Sequence, residues 1–357
     1  MSQLYLKIAK FFPIPRILEM RYAGIHISSS NHITYLECVQ KGNVLIPSHF
    51  ERVSFERRDE SDSVDLIKKL GELHSKYGTQ FVKATVPEYK SYLFEAEIPK
   101  VEEKDTRDAV AYTIEDKAPV TLSEVVFGYR VTDDSKKDTI NVSVGVVPKE
   151  VIQNYINIYE KAGMYPVTFK VEAQSVANAV VPLDSKEDLI IATIKGNKMI
   201  IAIVQNGGVF MSSTVEIGGD AFNSVLRKAY PTATKEEIEE MKYKENIIAR
   251  GTTDEVSSGF LEQCSLFKNH INKYYIYWLT HKAALNEEGK KLSRIIVVGR
   301  DSTIPGFIDY LKANLKVPVE VANVWVNCFD IEKYIPIVPY KDSFDYAESI
   351  GMLVHSN

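Results

Sequence analysis

Cysteine is scarce in this chain. Cys38, Cys264 and Cys328 are scattered and odd in number among 357 residues, which excludes a disulfide framework and points to a reducing cytoplasm. Their spacing, and that of seven histidines, provides neither a paired-cysteine zinc site nor a metalloprotease helix, so zinc and cysteine-protease chemistry are set aside. No apolar run reaches the roughly 18 residues of a membrane-spanning helix, and the start lacks the apolar core and cleavage site of a secretory signal. Neither charge dominates: 43 basic against 48 acidic residues leave a net charge of -5, which excludes a global nucleic-acid binder. There is no low-complexity tract and no repeat of fixed period. What remains is ordinary globular composition, 45% hydrophobic and 25% charged, in a chain long enough for two or more domains.

The stretch from Asp188 to Asp220 organises the rest. An apolar run, Leu189 to Ile194, turns at Lys195-Gly196-Asn197 and resumes from Met199 to Val204. A second turn at Gln205-Asn206-Gly207-Gly208 leads to a strand from Val209 to Thr214, and Glu216-Ile217-Gly218-Gly219-Asp220 opens a helix. Short apolar runs broken by Gly and Asn predict consecutive antiparallel strands.

Before this stretch, residues 1–20 place Leu4, Leu6, Ile8, Phe11 and Phe12 among Lys7 and Lys10. They predict a short amphipathic segment, ended by Pro13 and Pro15. It is read either as an anchor to a membrane surface or partner, or as a helix folded onto its own domain. Strands are expected from Tyr22, from Ile33 and over Val44 to Phe55, then a helix over 63–77 and a strand from Phe81 to Val86. Pro87 to Pro166 reads as a separate α+β unit: an edge-like strand from Tyr92 to Ile98, a helix from Thr106 to Lys117, strands over Glu124–Thr132 and Thr139–Pro148, and a helix from Lys149 to Ala162. Beyond the central hairpins, helices are expected over Gly219–Tyr230, Lys235–Lys244 and Glu255–Ala284, a buried strand over Arg294–Val298, and a final helix from Ala347 to Leu353. The aromatic run Tyr274-Tyr275-Ile276-Tyr277-Trp278 is expected to pack in a core rather than cage a ligand.

Several segments resemble the PilM family, the actin-like cytoplasmic proteins of type IV pilus assembly. The most specific lie in the inserted unit: Val86-Pro87, Ile98-Pro99-Lys100-Val101, Ala111-Tyr112-Thr113-Ile114-Glu115-Asp116-Lys117-Ala118-Pro119, and Val146-Val147-Pro148-Lys149-Glu150-Val151. Ala162-Gly163-Met164-Tyr165-Pro166, Glu216 to Asp220, and Ile304-Pro305-Gly306 through Asn323 continue the match in order. The cell-division protein FtsA shares that fold. The resemblance implies an α/β, actin-like (ribonuclease H-like) two-lobed ATPase fold. In it, residues 21–86 form a first lobe completed by 166–185 and 335–357. Residues 87–165 form an inserted α+β interaction subdomain, and 186–334 a second lobe with a helical subdomain at about 219–290.

It further implies ATP between the lobes and a groove near the insertion that holds the N-terminal cytoplasmic peptide of a PilN-type inner-membrane protein. Other pilus platform or motor proteins follow as partners, with location at the inner face of the cytoplasmic membrane through them; self-association stays open. An actin-like ATP site needs glycine hairpins whose backbone N–H groups reach the phosphates, and a carboxylate for Mg²⁺. Here the first hairpin reads Gly24-Ile25-His26-Ile27-Ser28, so His26, a poor ligand for a hard cation, replaces the carboxylate. Ser28, Ser29 and Ser30 remain as donors, and Thr193-Ile194-Lys195 fills the second hairpin, with Gly196 and Asn197 beyond. Gly218 and Gly219 follow; Glu239 and Lys242 resemble the pair that meets ribose and base, and Gly299 is what is left of a glycine turn. The alternative for Glu239 and Lys242 is a solvated helical pair.

These departures argue against hydrolysis, which rests on positioning and Mg²⁺ charge neutralisation. The expectation is therefore a docking scaffold with a degenerate nucleotide site: ATP could still bind, Mg²⁺ is doubtful, and no catalytic or metal residue is assigned. The peptide is expected at a strand edge near Val142 to Val147, beside the helix from Thr106 to Lys117. The competing expectation is an ATP-hydrolysing or polymerising actin relative. A sugar kinase of the same superfold lacks a convincing catalytic Asp.

Overall fold

The structure is a computed structural model and describes residues 21–354, apart from 43, 60–61, 253 and 285–290. The amphipathic reading of residues 1–20 lies outside the described residues. In chain order come β1 (Tyr22–Ile27), β2 (His32–Lys41), β3 (Val44–Ser54), α1 (Val64–Tyr77), β4 (Phe81–Val86), β5 (Tyr92–Pro99) and α2 (Glu103–Lys117). Then follow β6 (Val125–Asp133), β7 (Thr139–Pro148), α3 (Lys149–Lys161), β8 (Tyr165–Val171), α4 (Glu172–Val180), β9 (Leu189–Ile194), β10 (Met199–Gln205) and β11 (Gly208–Val215). The chain closes with α5 (Asp220–Ala229), α6 (Lys235–Lys244), α7 (Glu255–Ala284), β12 (Arg294–Val298), α8 (Phe307–Asn314), β13 (Val319–Val321), α9 (Tyr340–Ser343) and α10 (Ala347–Leu353).

Two mixed sheets result. The first has five strands in the order β3-β2-β1-β4-β8, with β1 antiparallel to β2 and parallel to β4. The second has eight, in the order β13-β12-β9-β10-β11-β5-β7-β6. Its centre is the pair of continuous apolar runs foreseen in the sequence, and every residue of β9 and β10 is buried, as expected for strands covered on both faces. The β10–β11 connection is a two-residue hairpin: Asn206 and Gly207 both have positive φ, 49° and 73°, the conformation such turns demand.

Phe260, Phe267 and Trp278 of α7 are fully buried in the core around this sheet. Tyr274 and Tyr275 pack against the same core, whereas Ile276 and Tyr277 are exposed. Against the first sheet, α10 lies unusually close to β1: a Cβ on Gly24 would stand 2.2 Å from the Ser349 carbonyl oxygen. On its other side a Cβ on Gly351 would stand 1.7 Å from the Ser175 carbonyl oxygen of α4. The missing side chains are what let strand and helices approach.

Residues 87–165 share the second sheet through one register pair, Met211 with Phe94. They also carry a separate apolar cluster in which Val110 and Ile114 of α2 pack on Val142, Val144 and Val146. Two edge expectations are corrected here. β7 is not an edge: it is bonded to β5 on one side and β6 on the other, and Val142 to Val147 is buried. β5, read as edge-like, lies between β11 and β7. The outer strand is β6, where Val126 and Val131 face solvent. No helix among the described residues is long and apolar enough to cross a membrane.

Candidate functional site: a filled cleft and an open groove

The turn between β1 and β2 is bonded to itself. The Ser28 N–H donates to the His32 carbonyl at 2.8 Å, the His32 N–H donates to Ser28 Oγ at 3.1 Å, and Ser28 Oγ lies 3.1 Å from Ser30 Oγ. Ser29 and Ser30 are exposed. His26 points into the protein and is 1% exposed, its Nδ1 2.8 Å from Thr85 Oγ1 and 3.8 Å from Glu172 Oε1. Burial, and then the Lys195 charge, hold its pKa down to about 3, so the ring is neutral near pH 7.

Beneath it lies a buried cluster assembled from distant parts of the chain. Glu172, the first residue of α4, accepts from Lys198 Nζ at 3.3 Å. The Glu88 N–H donates to Glu172 Oε2 at 3.4 Å, and the Ala173 N–H at the start of α4 donates to Glu88 Oε2 at 3.2 Å. The Ser212 hydroxyl of β11 donates to the other Glu88 oxygen. Burial lifts the Glu88 carboxyl to about 7, opposed by the Ser212 hydrogen bond and assisted by the nearby Glu172 charge.

The second hairpin is equally occupied. Lys195 Nζ pairs with Glu348, which is 0% exposed. The Gly219 N–H donates to the Lys195 carbonyl at 2.9 Å and the Asp220 N–H to the Gly196 carbonyl at 2.7 Å. A Cβ on Gly218 would stand 2.3 Å from the Lys195 carbonyl oxygen. Both N–H groups are thus spent inside the protein, the two glycines serving close packing; Asn197 is exposed at the tip of the turn.

On the far side, Lys242 is 2% exposed and ion-paired with Asp301 at 2.8 Å and Glu239 at 3.1 Å. The alternative of a solvated pair therefore does not hold for Lys242. Tyr243 donates its hydroxyl to Asp301 at 2.8 Å, and the Asp301 carboxylate fills the space above Gly219, 1.7 Å from where a Cβ would stand. Gly299 has φ 117°, and its Cβ would stand 2.3 Å from the Ile194 carbonyl oxygen. The structure thus brings Lys195, Gly196, Gly218 and Gly219 together, joined to Glu239 and Lys242 through Asp301. Outside this closure a surface depression of about 600 Å³ is lined by Lys235, Glu239, Tyr243, Arg300 and Lys341. Where the resemblance places a metal-facing carboxylate stands the neutral His26, and Gly218 and Gly219, after β11, are packed against the Lys195 carbonyl and the Asp301 carboxylate.

Open space lies elsewhere. A groove of about 480 Å³ runs between β6, the last strand of the second sheet, and β8, the last strand of the first. It exists because Gly128 and Gly145 face each other across the β6–β7 ladder. A Cβ on Gly145 would meet the Gln174 side chain at 3.0 Å, whereas one on Gly128 would meet nothing within 4 Å. Val147, Ile152, Phe169 and Ala177 form apolar walls, with Arg130 and Lys170 also lining it.

Sequence reasoning missed Glu88, Lys198, Glu348 and the glycine pair. A charged residue inside an otherwise buried element was the available signal, because Glu348 interrupts a helix buried along its whole length and such a charge demands a partner.

The family model of the type IV pilus assembly protein PilM matches residues 62–351. No curated protein matches the sequence. Among solved structures, a PilM–PilN type IV pilus biogenesis complex is similar with a TM-score of 0.68 at 15% identity, over 93% of this chain and 97% of that one. MreB5 of Spiroplasma citri bound to AMPPNP has a TM-score of 0.52 at 13% identity, covering 86% of this chain and 93% of that one. The ADP-bound form of MreB5 gives 0.52 at 12% identity over 93% and 97%. The fold is the actin-like ATPase fold, as expected, and the chain belongs to the PilM family of type IV pilus assembly proteins.

Proposed function

We propose that this chain is a docking scaffold of type IV pilus assembly, which holds the N-terminal cytoplasmic peptide of a PilN-type inner-membrane protein in the groove between β6 and β8. The groove carries the reading: two outer strands flank a trough whose floor lacks side chains at Gly128 and Gly145. An extended peptide gains main-chain hydrogen bonds from such an edge and places alternate side chains against the apolar walls. The similarity to a PilM–PilN complex supports the partner class. Through that peptide the protein sits at the inner face of the cytoplasmic membrane, where platform or motor proteins reach it.

The cleft between the sheets is read as a degenerate nucleotide site. Lys195 and Glu348 occupy it as a pair, His26 replaces the carboxylate that a metal would need, and the buried Glu172 carboxylate behind it is already paired with Lys198. The competing ATP-driven reading draws on MreB5, solved with AMPPNP and ADP, and on the depression beside Glu239 and Tyr243. A thermal shift with millimolar Mg·ATP would favour it.

The test is Gly128→Leu. Its side chain enters empty space, so folding is retained while the trough is filled. Loss of the partner peptide with an unchanged melting temperature supports the assignment; unchanged affinity overturns it.

A further inference from the structure

Two cations, Arg130 and Lys170, line the groove, and Lys83 lies beside Lys170. Lys83 of β4 is the register partner of Thr168 on β8, and Lys170 lies two residues beyond Thr168, so strand alternation puts all three side chains on one face. Arg130 reaches in from β6, its Nη1 donating to the Gly207 carbonyl at 3.2 Å. Lys170 Nζ stands 3.5 Å from the Gly351 carbonyl at the C-terminal end of α10, and the Lys83 ammonium lies 5.3 Å from the Tyr22 ring centre. Neither Lys83 nor Arg130 forms an ion pair among the described residues. Burial, followed by the charges of Lys83 and Arg130, holds the Lys170 ammonium down to about 8. Like charges held together in a half-buried trough repel, and an arriving anion relieves that repulsion.

We propose that the groove selects an extended peptide bearing an acidic side chain next to its apolar residues, with the carboxylate set against Arg130 and Lys170; this rests on the peptide-docking reading above. The apolar walls take the alternate hydrophobic side chains, and the cations fix register by donating to one carboxylate. A carboxylate also favours the charged form of Lys170, so binding takes up protons in the window around and above pH 8. The acidic peptide binds more tightly below that window and loses affinity as pH rises through the raised Lys170 pKa of the complex.

The experiment is a fluorescence-polarisation array on the full chain. The probes are decapeptides of the PilN-type partner's N-terminal segment, each position in turn made Asp, Asn or Lys. The expected result is one position at which Asp binds at least about tenfold tighter than Asn, with Lys weaker still. That ratio should fall toward one in Lys170→Met and in Arg130→Gln, and on raising the pH from 7 to 9. A ratio taken within one variant does not depend on how much of it is folded. Binding of the peptides with no Asp preference at any position, or a preference kept in both variants, overturns the selectivity while leaving docking intact. Failure of every peptide to bind overturns docking and selectivity together.

Discussion

Lys195, in the turn after β9, lies in an ion pair with Glu348 of α10, so the second sheet is tied to the helix that packs on the first. Glu348 is fully buried and its Oε2 has no hydrogen-bond partner among the described residues. Removing only the ammonium leaves a bare carboxylate in the interior, which costs more than the pair itself contributes. Lys195→Met should lower unfolding free energy by about 3–5 kcal/mol, and Lys195→Met with Glu348→Leu should recover most of it. A double-mutant cycle in urea measures this; full additivity would contradict it.

The cleft also makes opposing predictions for pH. His26 has a folded pKa of about 3 against an ordinary 6.5, so the unfolded chain takes up a proton first and stability is lost as pH falls below about 6.5. Glu88 has a folded pKa of about 7 against an ordinary 4.5. Its contribution is fully present below 4.5 and is lost as pH rises toward 7. Each slope is at most about 1.4 kcal/mol per pH unit. Between pH 5 and 6 they offset each other. His26→Gln should therefore leave stability falling with rising pH over that range, and Glu88→Gln should leave it rising. Parallel slopes in urea midpoints for the two variants would contradict the assignment.

Gly351 decides between helix propensity and packing. Alanine in a helix is favoured over glycine by about 1 kcal/mol, but here its Cβ would stand 1.7 Å from the Ser175 backbone oxygen. Separating α4 from α10 costs more than the propensity gain. Gly351→Ala should destabilise by about 2 kcal/mol or more, and any rise in melting temperature would refute the close approach.

The strands and helices were largely legible because their periods are local properties of the chain. Edges were not, and β7 shows why. An apolar run such as Val142 to Val147 reads equally as an outer strand or as one enclosed on both sides. Only its pairing with β5 on one side and β6 on the other identifies the enclosed strand, while β6 is paired on one side alone and exposes Val126 and Val131. Lys195, Gly218 and Gly219 stood out in the sequence because glycine and charge interrupt apolar runs there, and the structure brings them together. Glu88, Ser212 and Glu348 meet their partners across separations of 124 and 153 residues, which no linear motif records. The groove was invisible for the same reason, since Gly128 faces Gly145 only after β6 and β7 pair.

Calorimetric titration of the PilN-type partner's N-terminal peptide, with and without millimolar Mg·ATP, tests the docking scaffold most directly. The expected result is one-to-one binding whose affinity ignores the nucleotide and disappears in Gly128→Leu. Absence of peptide binding, or affinity that depends on Mg·ATP, would contradict a scaffold whose cleft is closed by its own side chains.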